Sequence, residues 1–189
     1  MRIVGGRHRG RIIAAPPGRD TRPTADRARE ALFNVLAHGY EIDLSETDVL
    51  DVFAGSGGLG LEALSRGARR VWFIDHQAAV LEVIRANLAT LREDERAVVL
   101  RADATRLPLA KQACGLALLD PPYESGLAGP TLSALAAQGW LVDRALCIVE
   151  VAAREAFAPP PGFGVEEERV YGAARFVFLR HDASGREQA

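Results

Sequence analysis

Four consecutive residues, Asp120, Pro121, Pro122 and Tyr123, place a carboxylate, two prolines and an aromatic ring directly after a short apolar run. Proline fixes its own φ and disfavours a helical conformation in the residue before it, so this turn is predicted to be extended and rigid. The Asp120 carboxylate and a prolyl carbonyl could accept both hydrogens of a planar amino group, and Tyr123 could stack on a nucleobase. The pattern favours chemistry on an amino nitrogen, the alternative being an ordinary loop after a buried strand.

A glycine-rich loop follows an earlier apolar run. Gly55, Gly57 and Gly60 would let the backbone approach a ligand beside the N-terminus of the next helix. Because Asp75 lies twenty positions after Gly55, the spacing also fits a dinucleotide-binding fingerprint, and an NAD-dependent oxidoreductase is one alternative. Asp51, just before the loop, is poorly placed for an anionic pyrophosphate and favours a ligand with an amino group and a sulfonium.

Carboxylates also end the next two predicted strands. Asp75 could accept both hydroxyls of a ribose, and Asp103 could accept from an adenine amino group while the backbone N–H of Ala104 meets the ring. Each aspartate taken singly could equally cap a loop. Together with Asp51 and Asp120 they would line one crevice at the carboxyl ends of four parallel strands, where ligands bind in open α/β sheets.

The elements that must position these residues alternate along the chain. Short apolar runs separated by helical patterns predict a parallel sheet covered on both faces and joined by right-handed crossovers. After the prolines at 159–161, two further runs predict an antiparallel hairpin. The predicted strands are 49–53, 71–74, 98–100, 115–119, 146–149, 163–170 and 174–180, and the predicted helices are 24–38, 59–65, 78–91 and 127–137.

The first thirty residues are basic. Eight arginines against three acidic side chains give this segment a net charge of +5, whereas the remainder carries −7. Two short apolar pieces around Ile3 and Ile12 predict a β-hairpin with an arginine-rich connection, the alternative being a disordered tail. Thr24 is predicted to cap the helix that follows. Because guanidinium groups suit phosphate, solvent-facing arginines here favour contact with a nucleic-acid backbone.

Composition limits the class of protein. The 189 residues suit one domain with a small N-terminal appendage, and a hydrophobic fraction of 48% suffices for one core. Cys114 and Cys147 are predicted to be buried, reduced thiols, and no metal site is expected because neither lies at metal-ligand spacing. No apolar run approaches the roughly 18 residues of a membrane span, so we expect a soluble, cytoplasmic protein.

The glycine loop, the acidic ends of the second and third predicted strands, and the turn at 120–123 resemble those of class I methyltransferases that use S-adenosylmethionine. More narrowly, the sequence resembles the RsmD family of bacterial 16S ribosomal RNA guanine-N2 methyltransferases, in a likeness that extends from Met1 to the hairpin at Tyr171. Asp75 departs mildly from the glutamate more usual there. The stretches that carry the narrower resemblance are 1–6, 9–11, 21–24, 26–34, 51–68 and 120–123.

The resemblance implies an α/β, Rossmann-like class I methyltransferase fold: a mostly parallel seven-stranded sheet, a C-terminal antiparallel hairpin and a short N-terminal extension of β-hairpin and helix. The implied divisions are the basic extension (1–40), the methyltransferase domain (41–181) and a polar tail (182–189). The implied reaction is methyl transfer from S-adenosylmethionine to the exocyclic N2 of a guanine in 16S ribosomal RNA. The implied enzyme is a monomer acting on the small subunit or an assembly intermediate.

Two other functions stay open. One is an amino-methyltransferase acting on DNA adenine or on a protein glutamine, and the other is a non-catalytic RNA-binding assembly factor. The implied catalytic residues are Asp120, Pro121, Pro122 and Tyr123. The implied cofactor-binding residues are Asp51, Phe53, Ala54, Gly55, Ser56, Gly57, Gly60, Asp75, His76, Asp103, Ala104 and Thr24. The candidate RNA-binding residues are Arg7, Arg9, Arg11, Arg22 and Arg29, although Arg22, like Thr24, could close over the cofactor instead.

Overall fold

The computed structural model of the protein describes residues 1–15, 23–40 and 42–183, with the side chains of the first helix described from residue 26 onward. The described residues form three layers, in which helices cover both faces of one sheet. No helix in these ranges is both long and apolar enough to cross a membrane.

Seven strands of the described residues make up the sheet. They are β1 (Asp48–Val52), β2 (Arg70–Asp75), β3 (Ala97–Arg101), β4 (Cys114–Leu119), β5 (Leu141–Ala152), β6 (Phe163–Tyr171) and β7 (Ala174–His181). Their order is β3, β2, β1, β4, β5, β7, β6. The first five strands in this order are parallel to one another, whereas β7 is antiparallel to both β5 and β6. The mostly parallel sheet and its C-terminal hairpin are therefore confirmed.

Helices of the described residues pack on both faces of this sheet. They are α1 (Pro23–His38), α2 (Gly58–Ser65), α3 (Ala78–Leu91) and α4 (Ala128–Ala137). The first three cover one face, where Leu61 and Ile84 join Val49 in one buried cluster. The fourth covers the other face, where Leu132 joins Leu50. Val49 and Leu50 serve different clusters because successive side chains of a strand point to opposite faces.

The N-terminal segment is an ordered hairpin. Arg2 and Ile12 form an antiparallel bridge, and the backbone N–H of Ile3 donates to the carbonyl of Arg11 at 3.0 Å. Ile3 and Ile13 are buried in the same cluster as α1, α2 and α3. The predicted hairpin is confirmed, and the alternative of a disordered tail is wrong for residues 1–15.

The hairpin is docked on the C-terminal end of α2. The backbone N–H of Arg7 donates to the Ser65 carbonyl at 2.8 Å, and that of His8 donates to the Ser65 hydroxyl at 2.9 Å. Gly6 has a φ of +70°, and a Cβ at this position would lie 2.0 Å from the Ser65 carbonyl oxygen. Glycine is therefore required for this approach, since a side chain would collide with the helix backbone.

Three predicted boundaries need correction. Helix α1 begins at Pro23, so Thr24 lies inside the helix and is not its N-cap; proline suits the first helical position because its fixed φ is already helical. Strand β1 ends at Val52, and Phe53 turns into the left-handed region with a φ of 61°. Strand β5 starts at Leu141, well before the predicted residue 146. The prediction missed this start because the exposed residues 142–144 interrupt the apolar pattern.

Candidate functional site

Four aspartates meet at one edge of the sheet. Asp51 lies near the end of β1 and Asp75 at the end of β2, while Asp103 and Asp120 follow β3 and β4. Because the order β3, β2, β1, β4 is contiguous and these strands are parallel, the four carboxyl ends share one side of the molecule. The four aspartates therefore lie at the common edge that the sequence predicts.

The loop after β1 is folded tightly over this edge. Phe53, Gly55 and Gly57 have φ values of 61°, 55° and 79°, so three of its residues occupy the left-handed region. The N–H of Ala54 donates to the Ile74 carbonyl of β2 at 3.1 Å, and the N–H of Gly57 donates to the Ala54 carbonyl at 2.7 Å. The side-chain amide of Asn87 in α3 donates a hydrogen bond to the carbonyl of Ser56 in the same loop.

Asp51 of β1 is a buried carboxylate that contacts the first turn of α2. Its Oδ2 atom accepts the backbone N–H of Gly60 at 2.8 Å. Burial raises the pKa of Asp51 well above its ordinary value, the Gly60 hydrogen bond opposes this, and the charges of Asp120 and Asp75 add to the rise. Gly60 fits because a Cβ there would lie 2.3 Å from the Phe73 ring.

Asp75 fastens the glycine loop to β2. Its two oxygens accept backbone N–H groups, from Gly55 at 3.2 Å and from Gln77 at 2.9 Å. The exposed His76 ring has its Nδ1 atom 3.6 Å from Asp75 Oδ1. Each carboxylate oxygen has two acceptor sites, so Asp75 retains capacity for ligand hydroxyls.

Asp103 caps a turn, the alternative that the sequence left open for it. Its Oδ1 atom accepts both the backbone N–H of Thr105 at 2.9 Å and the Thr105 hydroxyl at 2.7 Å. These two hydrogen bonds, with the hydroxyl contributing most, hold the pKa of Asp103 below its ordinary value. Asp103 is exposed and Ala104 is buried, so the capped turn presents an ionised carboxylate at the edge.

The turn from Asp120 to Tyr123 continues the same edge. The N–H of Asp120 donates to the Val52 carbonyl of β1 at 3.2 Å. The Pro122 carbonyl accepts the Ser125 N–H at 3.2 Å within the turn, which makes the Pro121 carbonyl the better second acceptor for a ligand. Tyr123 is 49% exposed. A carboxylate and an accessible tyrosine therefore lie together at the carboxyl edge of the sheet.

Two glutamates at this turn were missed by the sequence reasoning. Glu150, in β5, accepts the Tyr123 hydroxyl at 2.9 Å, and Glu155 accepts the backbone N–H of Glu124 at 3.0 Å. Burial raises the pKa of Glu150, and the Tyr123 hydrogen bond opposes this. Glu150 directly follows the predicted strand 146–149, just as Asp75 and Asp120 directly follow predicted strands, and that rule of position could have identified it.

The candidate RNA-binding arginines separate into different environments. Arg9 and Arg11 are exposed on the hairpin, and Arg7 is half-exposed with its guanidinium bound to Glu93. Arg22 lies outside the described residues, as does the side chain of Thr24.

Arg29 is not available for RNA. It is only 7% exposed, and its guanidinium donates to the Arg2 carbonyl at 2.7 Å and to Asp26 at 2.8 Å. A buried guanidinium with these partners serves packing between α1 and the hairpin. The expectation that Arg29 contacts RNA is therefore wrong for this structure. Within the described ranges, no group of three or more His, Cys, Asp or Glu side chains is placed to hold a metal ion.

Known proteins are similar to this chain in sequence and in architecture. The family model described as Conserved hypothetical protein 95 matches residues 1–180. Ribosomal RNA small subunit methyltransferase D of Escherichia coli strain K12 is 36% identical over 190 aligned residues, which cover 100% of this chain and 94% of the relative.

Solved structures agree with this similarity. The putative methyltransferase yhhF of Escherichia coli has 36% identity and a TM-score of 0.80, covering 97% of this chain and 98% of its own. A SAM-dependent methyltransferase from Aquifex aeolicus has 18% identity and a TM-score of 0.62, covering 81% of this chain and 89% of its own. At that identity the Aquifex structure shows a shared fold.

Proposed function

The chain belongs to the Conserved hypothetical protein 95 family, that of the RsmD methyltransferases, and we propose that it methylates the exocyclic N2 of a guanine in 16S ribosomal RNA, using S-adenosylmethionine. One observation carries the proposal: a glycine loop, four aspartates and an exposed tyrosine converge at the carboxyl edge of the sheet. This combination suits an amino-methyltransferase, since cofactor and amine must meet in line.

The donor set fits S-adenosylmethionine. Within the described residues, neither Asp51 nor Asp75 forms an ion pair with a lysine or arginine; the His76 ring lies near Asp75. Buried carboxylates of this kind suit a ligand that brings its own positive charge and ribose hydroxyls. Asp75 would accept the hydroxyls, and Asp103 with the Ala104 N–H would hold the adenine. The remaining proposed cofactor contacts are Asp51, Phe53, Ala54, Gly55, Ser56, Gly57, Gly60 and His76, with Thr24 outside the described side chains.

The cofactor, when bound, supplies an electrophilic methyl group on a sulfonium. Asp120 would accept one hydrogen of the guanine amine and the Pro121 carbonyl the other, which directs the nitrogen lone pair toward that methyl group. Tyr123 would stack on a base turned out of its helix. Because the amine becomes acidic only as the new bond forms, Asp120 or water can take its proton late, and positioning supplies most of the catalysis.

The RNA backbone is proposed to lie along the hairpin. Arg9 and Arg11 are exposed there, and Arg7 adds a half-exposed guanidinium. The remainder of the chain is acidic, so electrostatic attraction of RNA is concentrated at this end. We propose a monomeric, cytoplasmic enzyme that acts on 16S ribosomal RNA within the small subunit or one of its assembly intermediates.

A transfer assay tests this function. Tritium-labelled S-adenosylmethionine is incubated with the protein and small ribosomal subunits from a strain without this activity, and the RNA is digested to nucleosides. Label in N2-methylguanosine is expected. Label in adenine or in protein would overturn the proposed substrate, and absence of label from both free RNA and subunits would overturn the proposed reaction. Tyr40→Phe is a suitable positive control, since Tyr40 stacks on Phe178 away from the proposed site.

A further inference from the structure

The turn that carries Asp120 and Tyr123 is attached to strand β5 by two side chains. Glu150 Oε1 accepts the Tyr123 hydroxyl at 2.9 Å. Glu155 Oε2 accepts the backbone N–H of Glu124 at 3.0 Å and that of Ala152 at 3.2 Å. We call Glu150 and Glu155 the glutamate clamp. Glu150 lies near the end of β5 and Glu155 lies just beyond it, bound to the Ala152 N–H, so the clamp joins the candidate catalytic turn to the neighbouring strand.

Strand register explains why Glu150 reaches the turn. Leu119 of β4 pairs with Val149 of β5, so Asp120 and Glu150 stand one residue beyond the last pair, on adjacent parallel strands. Neighbouring strands lie about 4.8 Å apart, and side chains at equivalent positions point to the same face. Glu150 is therefore a direct neighbour of the proposed amine-orienting carboxylate.

The turn needs an external restraint. Glu124 has a φ of 55°, a conformation unfavourable for a residue with a side chain, and such backbone persists where its surroundings fix it. Tyr123 is 49% exposed, and none of the close ring pairs found among the described residues includes its ring. Its hydroxyl bond to Glu150 is the specific contact that orients the ring.

Tyr123 and Glu150 are suited to a persistent hydrogen bond. Burial and the nearby Glu150 carboxylate raise the pKa of Tyr123 above its ordinary value, so the hydroxyl keeps its proton. A hydrogen bond from a neutral hydroxyl to a carboxylate is shorter and stronger than one between neutral groups.

We propose that Glu150 is a positioning residue for the methyl transfer: it holds the Tyr123 ring at the angle required to stack on the target base, while Glu155 secures the backbone behind it. This inference rests on the proposed function and deepens it, since it names the group that presents the stacking ring. Glu150 acts through Tyr123, and no contact between Glu150 and the cofactor is invoked.

The test is a double-mutant cycle on activity. Tyr123→Phe keeps the ring and removes the hydroxyl, Glu150→Ala removes the acceptor, and a third protein carries both changes. Each single change is expected to lower kcat roughly tenfold, since small errors of position cost this much or more, while the dissociation constant for S-adenosylmethionine stays within about twofold. The double variant is expected to match the single variants, because both remove the same contact.

Two further variants separate positioning from structure. Glu150→Gln retains an acceptor oxygen and is expected to recover most of kcat. Tyr40→Phe is the matched control, because Tyr40 also has a glutamate partner, Glu167, and lies away from the site. Its kcat is expected to equal that of the wild type. Thermal unfolding of every variant checks that the fold is intact.

The outcomes are distinguishable. With an active wild-type enzyme, a kcat for Glu150→Ala equal to wild type, or losses that multiply in the double variant, would overturn the positioning role alone. If the wild type transfers no methyl group to RNA, the proposed function fails; the hydroxyl–carboxylate coupling itself can still be measured as non-additivity in urea unfolding.

Discussion

Buried carboxylates occur in two regions of this protein and are compensated in opposite ways. Beneath the N-terminal hairpin, Glu62 and Glu93 are almost fully buried and bound by arginines. At the carboxyl edge of the sheet, Asp51 and Asp75 are also buried but accept backbone N–H groups. Removing a charge from water costs free energy in both regions. Arginines offset this cost in the first region, whereas in the second the described residues offset it with backbone N–H groups, which leaves the carboxyl groups able to bind a positively charged ligand.

The contacts beneath the hairpin explain why that region is structural. Glu62 accepts the backbone N–H of Val4 at 2.9 Å and pairs with Arg66 at 2.7 Å. Glu93 binds Arg7, His8 at 2.6 Å and Arg96 at 2.7 Å. These bonds join the hairpin to α2 and to the segment that follows α3. The glutamates thus hold the proposed RNA-binding arm in place without contacting the sheet edge.

The pKa directions follow the same division. Burial raises the pKa of Glu93, but hydrogen bonds from Arg7, Arg96 and His8 outweigh it, so the pKa is lowered overall. Burial raises the pKa of Asp51, and the single Gly60 bond does not outweigh it. The comparison predicts that charge removal destabilises the protein at Glu93 and impairs function at Asp51.

The largest expected effect on stability is at Glu93. Glu93→Ala removes the buried acceptor of Arg7 and Arg96 and is expected to lower the free energy of unfolding by about 1.5–3 kcal/mol, the contribution of hydrogen bonds to a charged group, because the partly exposed arginines can turn to water. Urea unfolding measures it. The control is Glu82→Ala, which removes an exposed ion pair with Arg85 and is expected to cost less than about 1 kcal/mol. Equal losses for the two variants would remove the distinction between the regions.

The largest expected effect on activity is at Asp120. Asp120→Ala is expected to lower kcat by roughly 10²–10³-fold, the loss typical of one preorganised polar group, because the amine loses its orienting acceptor. Calorimetry should show S-adenosylmethionine binding close to that of the wild type. Near-normal turnover would contradict the assignment of the amine-orienting role to Asp120.

Asp51→Asn sharpens the comparison. Asparagine keeps an acceptor for the Gly60 N–H and removes the charge, so the free energy of unfolding should not fall. Affinity for S-adenosylmethionine should fall about tenfold, since a hydrogen bond to a charged group contributes roughly 1.5 kcal/mol or more. Calorimetry and urea unfolding measure the two quantities. A destabilised variant with unchanged affinity would place Asp51 with the structural carboxylates.

The pH dependence of stability should differ in sign between the regions. The pKa of Asp51 is raised in the folded state, so the folded state holds its proton longer and stability is lost as pH rises from about 3.8 through the folded pKa. The pKa of Glu93 is lowered, so its contribution is present above about 4.5 and is lost as pH falls through the folded pKa.

Urea unfolding between pH 3 and pH 8 checks these signs. The advantage of Asp51→Asn over wild type should be near zero at the acid end and grow with pH, to a plateau above the folded pKa of Asp51. The deficit of Glu93→Ala should shrink toward the acid end. Parallel profiles for the two variants would contradict the opposite pKa shifts.

The smallest effect concerns RNA affinity. The slope of the logarithm of the RNA-binding constant against the logarithm of the salt concentration measures the phosphate contacts. Replacing Arg9 and Arg11 together by glutamine should reduce the magnitude of this slope by about 1.5, since each phosphate contact contributes roughly 0.7–0.9. Filter binding at several salt concentrations measures the slope. Arg29→Gln is the contrast: it should destabilise the fold and leave the slope unchanged, because Arg29 is buried. A change of slope for Arg29→Gln would restore it as an RNA contact.

Most of the fold could be predicted because its signals are local. Apolar runs marked the centres of the seven strands, and α3 spans the predicted 78–91. Failures arose where a neighbour decides the outcome. Thr24 was a plausible cap, but Pro23 starts the helix one residue earlier. Arg29 looked like its exposed neighbours in sequence, yet Asp26 and the Arg2 carbonyl enclose it.

Prediction of the site also failed where a contact depends on residues that are distant in sequence. The sequence identified the aspartates and the turn at 120–123, because polar residues after apolar runs mark strand ends wherever those strands pair. It could not assign Glu150 to Tyr123, since that contact depends on β5 lying beside β4 with a particular register. Nor could it foresee that Glu62 and Glu93 would bind the arginine-rich hairpin.

The sequence by itself determined which residues are chemically able to act and at which strand ends they stand, because periodicity and turn chemistry are properties of neighbouring residues. Only the tertiary structure decided which charges are neutralised. That depends on contacts such as Arg7 with Glu93, separated by 86 positions in the chain. Burial makes each such pairing decisive, since a carboxylate in the interior must find a cation, a backbone donor or a ligand.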